Sequence, residues 1–276
     1  MSMKNTSTNF KSNETLMEII GVSIWGRLIF KLLQTIRELA FRSIFISKTL
    51  SCFPLGKIVF RMNIIIKWLL LSLGWSDQRV IEYPWLLKQL KLLKPGSIIL
   101  DVGCSESILS CELISRKYNV VGIDIQNYVF KSPRMLFVKR NILDTGFPSK
   151  FFDGIIMIST IEHIGLNVYG QTLLDGEGDI KAMKELFRIL KPGGLLIMTT
   201  PYIGKGPFRL SEFERNYDRE RLKKLIEGYN ILREDYFYPK LLKNGRVNWI
   251  KLNKKQIDKL TFNILSGLAC LVLQKQ

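Results

Sequence analysis

The chain has 276 residues, 47% of them hydrophobic, and 41 Lys and Arg against 24 Asp and Glu, for a formal charge of +17. That apolar content excludes disorder over most of the chain and suffices for one well-buried α/β domain with extra helices, or for two small domains. The basic excess calls for an anionic partner, whether a membrane surface, a nucleic acid or an acidic substrate, while four cysteines without a CxxC pair, beside one histidine, argue against a structural zinc site.

Residues 1–13 read as a flexible polar tail without a signal-peptide pattern. Residues 14–78 read as a helical N-terminal extension. Ile20, Ile24, Leu28, Leu32, Ile36 and Ala40 recur at helical spacing, with Arg27, Lys31, Arg37 and Arg42 among them. A second apolar run, Met62 to Leu73, is broken by Lys67. Neither run reaches the ~20 unbroken apolar residues that a bilayer span needs. The extension therefore packs on the following domain or a second subunit, or lies against an anionic membrane through its amphipathic faces. Cys104 and Cys111 flank an expected helix and read as packed thiols, which suits a reducing cytoplasm, with a peripheral membrane position left open.

From Ser97 onward short apolar runs alternate with helical segments. Strands are expected at Ser97–Val102, Asn119–Ile125, Met135–Val138, Phe152–Ile158 and Leu195–Thr200, with helices at Ser105–Arg116 and Asp179–Leu190. Lys191-Pro192-Gly193-Gly194 stops the second helix. A helix at Asp218–Glu227, an extended segment at Tyr229–Tyr238 and a last strand at Leu268–Leu273 follow. Such βα units imply a Rossmann-like α/β fold: a doubly wound, mostly parallel sheet, here with an antiparallel last strand and N-terminal helices added.

Ligands of such sheets sit beyond the carboxyl ends of the strands. The first strand runs into Asp101-Val102-Gly103-Cys104-Ser105-Glu106-Ser107, where Gly103 permits a tight turn. The second ends in Val121-Gly122-Ile123-Asp124, and an acid there can accept both ribose hydroxyl protons of a nucleoside. A dinucleotide fingerprint needs G-x-G-x-x-G for the pyrophosphate, and only its first glycine is present. An acidic loop suits S-adenosylmethionine (SAM), whose sulfonium and ammonium are cationic, better than NAD.

Ile99-Leu100-Asp101-Val102-Gly103-Cys104, Val121-Gly122-Ile123-Asp124, Phe152-Asp153-Gly154-Ile155-Ile156 and Leu190-Lys191-Pro192-Gly193-Gly194 together resemble the successive motifs of class I SAM-dependent methyltransferases. Arg79-Val80-Ile81-Glu82-Tyr83-Pro84-Trp85 and Ile161-Glu162-His163-Ile164-Gly165-Leu166 are similar to one poorly characterised branch of that family. The resemblance makes residues 79–276 the methyltransferase domain. It implies that Asp101, Gly103, Cys104 and Ser105 surround the methionine part of SAM and that Asp124 holds the ribose, with Ile125 beside the adenine. It further implies that Asn141 and Ile142 line the adenine edge and that Ser159 and Thr160 lie under the sulfonium. The departure is the loop Cys104–Ser107, where most relatives have a second glycine.

Methyl transfer asks the protein mainly to position two reactants, and a hydroxyl acceptor gains from a base. Glu162 and His163 are the candidates, although a lone histidine also serves as a packing residue. Asp175, Glu177 and Asp179 match half of a calcium loop without its remaining ligands, and acidic capping of a helix at Asp179 is the favoured reading. Tyr202, Tyr217 and Tyr236 line a substrate cleft or belong to the core. The acceptor, a small molecule or a glycan- or lipid-linked group, stays unidentified, as does the oligomeric state. Nucleic acid is disfavoured by the lack of an Asn-Pro-Pro-Tyr-type motif. The rival reading is a non-catalytic, methyltransferase-shaped protein that binds a partner or a membrane.

Overall fold

The computed structural model describes residues 78–105, 107–128, 134–169, 171, 175–242, 247–260 and 266–276. The helices expected within residues 14–77, and Glu106, lie outside the described residues. Gln78–Pro239 and Trp249–Gln276 form one compact unit.

The chain enters this unit through α1 (Arg79–Gln89), continues in a 3-10 turn (Leu90–Leu92), then alternates: β1 (Ile98–Val102), α2 (Leu109–Ser115), β2 (Asn119–Asp124), β3 (Met135–Lys139), β4 (Phe152–Ile158), α3 (Gly178–Ile189) and β5 (Leu190–Tyr202). A two-stranded hairpin follows, β6 (Arg209–Leu210) and β7 (Arg215–Asn216), then α4 (Arg219–Leu225), β8 (Tyr229–Leu241), β9 (Val247–Leu252), α5 (Lys254–Ile257) and β10 (Gly267–Lys275). The main sheet has eight strands in the order β3-β2-β1-β4-β5-β10-β8-β9. The first five are parallel, and β10 is antiparallel to both β5 and β8. The Rossmann-like sheet with its antiparallel last strand is therefore present.

Period-two alternation assigns each strand's residues to one of two cores. Leu196, Met198 and Tyr202 of β5, with Ala269, Leu271 and Leu273 of β10, meet Ala182, Met183, Leu186 and Ile189 of α3. Leu195 and Ile197, with Leu268, Cys270 and Val272, meet Trp85 and Leu86 of α1 and Leu109 and Leu113 of α2. Burial on both faces explains the near-continuous apolar runs of these strands.

Three local expectations are corrected. The helix expected from Ser105 starts only at Leu109, because Ser105 is engaged by the β2 loop. Cys111 sits inside that helix and is exposed, so of these two cysteines Cys104 alone is packed. The Lys191–Gly194 turn lies within β5, since pairing begins at Phe152↔Leu190 and resumes at Gly154↔Leu195 after a register shift. Lys191 Nζ meets Asp153 Oδ1 at 2.6 Å across that irregularity.

Candidate active site

β1 pairs with β2 on one side and β4 on the other, with Val102 opposite Ile123 and Met157. The carboxyl ends of these strands thus converge where chain order reverses, the place such sheets keep for ligands. Gly103 ends β1 at φ +74, and its N–H donates to the Ile123 carbonyl at 3.0 Å. A Cβ there would stand 2.5 Å from Thr160 Oγ1. Glycine is thus required twice over, by the left-handed backbone and by the threonine lying across it. Thr160 Oγ1 itself donates to the Ile158 carbonyl at 3.0 Å.

The next residues bind β1's loop to β2. The Ser105 amide donates to Asp124 Oδ2 at 2.9 Å, and the Gln126 amide to Asp124 Oδ1 at 2.8 Å. The Ser105 hydroxyl donates to the Asn127 carbonyl at 3.0 Å. Two backbone donors therefore orient the Asp124 carboxylate. The loop makes do with serine in place of a second glycine because the Ser105 side chain is used to tie it down. Cys104 is fully buried, and burial, with the charges of Asp101 and Asp124, pushes its thiol far up and leaves it unreactive.

Asp101 is almost fully buried and takes the Ser110 hydroxyl at 2.5 Å. Burial pushes its carboxyl up to about 7; the Ser110 bond opposes this and the charge of Asp124 adds to it. Two carboxylates that repel one another in this way fit a cationic ligand, whose sulfonium or ammonium would relieve the repulsion. The acidic chemistry of this donor set thus fits SAM. Ile125 is half-buried and Asn141 exposed, its Oδ1 taking the Leu143 amide at 3.0 Å. Ile142 is in the core, so its side chain is committed to packing.

Glu162 and His163 lie in a 3-10 turn (Ile161–His163) directly after β4. His163 Nδ1 is 2.7 Å from the Phe213 carbonyl. A carbonyl only accepts, so Nδ1 carries the proton and Nε2 the lone pair. Burial lowers the imidazole to about 4; the Phe213 bond opposes this, and Arg79 and Arg215 reinforce it. The ring is neutral at pH 7. Burial holds the Glu162 carboxyl well above its usual range, its own backbone bond opposing, with Glu214 and Glu82 adding to the rise. Nε2 and Glu162 Oε1 are 3.9 Å apart, and with the imidazole neutral the two are neighbours rather than an ion pair. His163 packs edge-on against Tyr169, whose carbonyl takes Gln126 Nε2 at 3.1 Å. The candidate base and the Asp124 loop are thereby joined.

Glu82 was not legible as a site residue. This carboxylate of α1 is fully buried and accepts from Thr199 Oγ1 at 2.6 Å, from Arg79 at 2.9 Å and from the Ser159 hydroxyl. The Arg79–Glu82 spacing is a helical i,i+3 pair, visible in the sequence, but nothing local said which strand end it would face.

Asp179 sits in the first turn of α3 rather than at its N-cap, which is Glu177, and its Oδ1 takes the Ile180 amide at 2.9 Å. It is fully buried, accepts from Arg221 at 2.5 Å and from Tyr217 at 3.1 Å, and lies 3.9 Å from Arg215. Arg215, also fully buried, donates to the carbonyls of Ile164 and, at 2.8 Å, Asp175. Asp175 and Glu177 pair with Lys181, Arg221 and Lys224. All three tyrosines belong to the core, and Tyr202 and Tyr236, with centroids 5.0 Å apart, also border a cavity of about 440 Å³ beside Arg219 and Leu222.

Residues 100–198 match the family model described as a methyltransferase domain. By this match that stretch is a methyltransferase domain. The sterol 24-C-methyltransferase erg6 of Aspergillus fumigatus is 30% identical over 132 residues, 42% of this chain and 32% of that protein. Its Schizosaccharomyces pombe counterpart is 28% identical over 178 residues, 52% and 42% respectively. The matched stretch thus spans less than half of either relative. A SAM-dependent methyltransferase of Archaeoglobus fulgidus superposes with TM-score 0.51 at 16% identity, covering 72% of this chain and 95% of that one. The [4+2]-cyclase SpnF superposes with TM-score 0.51 at 17% identity, covering 78% and 94%. At such identities the methyltransferase domain shares a fold with these structures and nothing finer. Among the described residues no helix is long and apolar enough to cross a membrane.

Proposed function

We propose that the whole chain is a SAM-dependent methyltransferase acting on a small-molecule or glycan- or lipid-linked acceptor. The observation that carries this is the Asp124 carboxylate, oriented by the Ser105 and Gln126 amides at the switch point of the sheet. SAM supplies an activated methyl group with its own leaving group. Asp124 holds the ribose hydroxyls, with Ile125, Asn141 and the Ile142 backbone beside the adenine. Asp101, Gly103, Cys104 and Ser105 surround the methionine part, and Ser159 and Thr160 close the floor. His163 Nε2 is the atom that takes a proton from a hydroxyl acceptor. Its low basicity suits a proton that becomes acidic only as the oxygen gains a methyl group. Burial of Glu162 disfavours a negative charge beside that nitrogen.

The two fungal relatives are sterol methyltransferases, which supports an acceptor of lipid character. The basic residues interleaved in residues 14–77 supply the anionic-surface contact that such an acceptor calls for.

Calorimetry of the full chain with SAM and S-adenosylhomocysteine tests the reading. Losing a carboxylate that takes charged hydrogen bonds costs about 1.5–3 kcal/mol each, so Asp124→Ala should weaken SAM about tenfold or more with the circular dichroism spectrum unchanged. A wild-type chain that takes up no SAM would favour the non-catalytic reading instead. Equal affinity in a folded Asp124→Ala variant would remove the cofactor assignment.

A further inference from the structure

Ser159 is in the left-handed region at φ 43. A non-glycine residue there costs of order 1–3 kcal/mol and persists only where its surroundings over-determine it. Those surroundings are identifiable. The Ser159 amide donates to the Thr199 carbonyl at 3.2 Å and to Thr199 Oγ1 at 3.0 Å. Its hydroxyl donates to Glu82 and accepts from Gln78 Nε2 at 2.9 Å. Glu82 also holds Thr199 Oγ1, and Arg79 donates to the Ile158 carbonyl at 3.3 Å. The first turn of α1 is thus fastened to the ends of β4 and β5 around one backbone turn. That turn sets where Thr160 goes, and Thr160 lies against Gly103.

We propose that Glu82 is a positioning residue for the cofactor: it pins Ser159 in its left-handed turn, and the turn sets Thr160 against the Gly103 loop. This rests on the SAM reading above. A fully buried charge left without its partners is strongly destabilising, so Glu82 is expensive to keep at this place. Its three partners all bear on the same strand ends. Glu82 touches neither cofactor nor acceptor in this scheme; it acts through Ser159.

The test uses the full chain, with Glu82→Gln, Ser159→Gly and the double variant. Glu82→Gln keeps the shape but loses the charge that holds two hydroxyls and Arg79. SAM affinity by calorimetry should fall about tenfold. Glycine adopts positive φ without strain, so Ser159→Gly added to Glu82→Gln should restore part of that loss. A residue that merely supported the fold would gain nothing from a glycine 77 positions away. Amide hydrogen exchange, read by NMR without any ligand, should quicken at residues 159 and 160 in Glu82→Gln while the centre of the sheet stays protected. Unchanged exchange there overturns the proposal, as does a weakened Glu82→Gln that glycine fails to rescue. If the wild type takes no SAM, the cofactor reading falls, and with it the purpose assigned to Glu82. The exchange result then still decides whether Glu82 pins Ser159.

Discussion

Asp179→Ala should destabilise the domain by about 3–5 kcal/mol, the penalty of leaving a buried charge without its counterpart. Arg215 has no exposed surface, and its Nε has no hydrogen-bond partner; Asp179 at 3.9 Å is its nearby anion. Removing Asp179 also leaves the Tyr217 hydroxyl only the longer bond to the Ile161 carbonyl at 3.4 Å and removes two contacts from Arg221. In a domain of roughly 200 residues this corresponds to a fall in Tm of roughly 10 °C or more. The neighbouring Glu177 is the control. It makes two ion pairs, with Arg221 at 2.7 Å and Lys224 at 2.9 Å, but its side chain is 49% exposed. Solvent screens it, and Glu177→Ala should cost under about 1 kcal/mol. Thermal and urea unfolding of the two variants separates these expectations. Equal losses would show that burial of the Arg215–Asp179 pair carries no special weight. The pair matters to the site because Arg215 holds the carbonyls of Ile164 and Asp175. Its release should therefore loosen the segment that leaves His163.

The second large effect is a pH dependence set by Asp101. Its carboxyl titrates near 3.8 when unfolded and is raised to about 7 in the fold, chiefly by burial. Between those values the native state keeps a proton that the unfolded chain has lost. Stability from this residue therefore falls as pH rises through the window, by about 1.4 kcal/mol per unit and on the order of 4 kcal/mol in all. Asp101→Asn lacks the titration, so the gap in unfolding free energy between variant and wild type should widen from pH 4 to pH 7 and then level off. A gap independent of pH would mean that Asp101 is ionised throughout. A cation bound close by favours the charged form. SAM uptake near pH 7 should accordingly release a proton, seen as a binding enthalpy that varies with the ionisation enthalpy of the buffer.

Strand positions were legible because burial leaves a local mark. Phe152–Ile158 coincides to the residue with its apolar run, and the ends of β1, β2 and β3 fall within one residue of expectation. Gly103 and Asp124 were legible for a related reason. A turn glycine and a strand-ending acid at fixed spacing reflect the length of one βα unit, and that length is counted along the chain. Boundaries failed where a distant group intervened. Ser105 could have begun a helix, but its amide went to Asp124, and the helix starts at Leu109.

The groups that shape the site's chemistry left no such mark. Glu82 meets Thr199 across 117 residues, and His163 meets the Phe213 carbonyl across 50. No periodicity spans such distances. The tautomer of His163 depends on a backbone oxygen of the β6–β7 hairpin, two strands too short to announce themselves in the sequence. Asp179 looked like a helix cap because acids favour helix starts, and its Oδ1 does take the Ile180 amide, but the cations that pair with it come from β7 and α4. The local chain chose the sheet, the glycine turn and the acid that ends β2. Which carboxylates keep their protons, which nitrogen of His163 is bare and which strand end Glu82 holds depend on burial by distant segments, because desolvation and charge act through space rather than along the backbone.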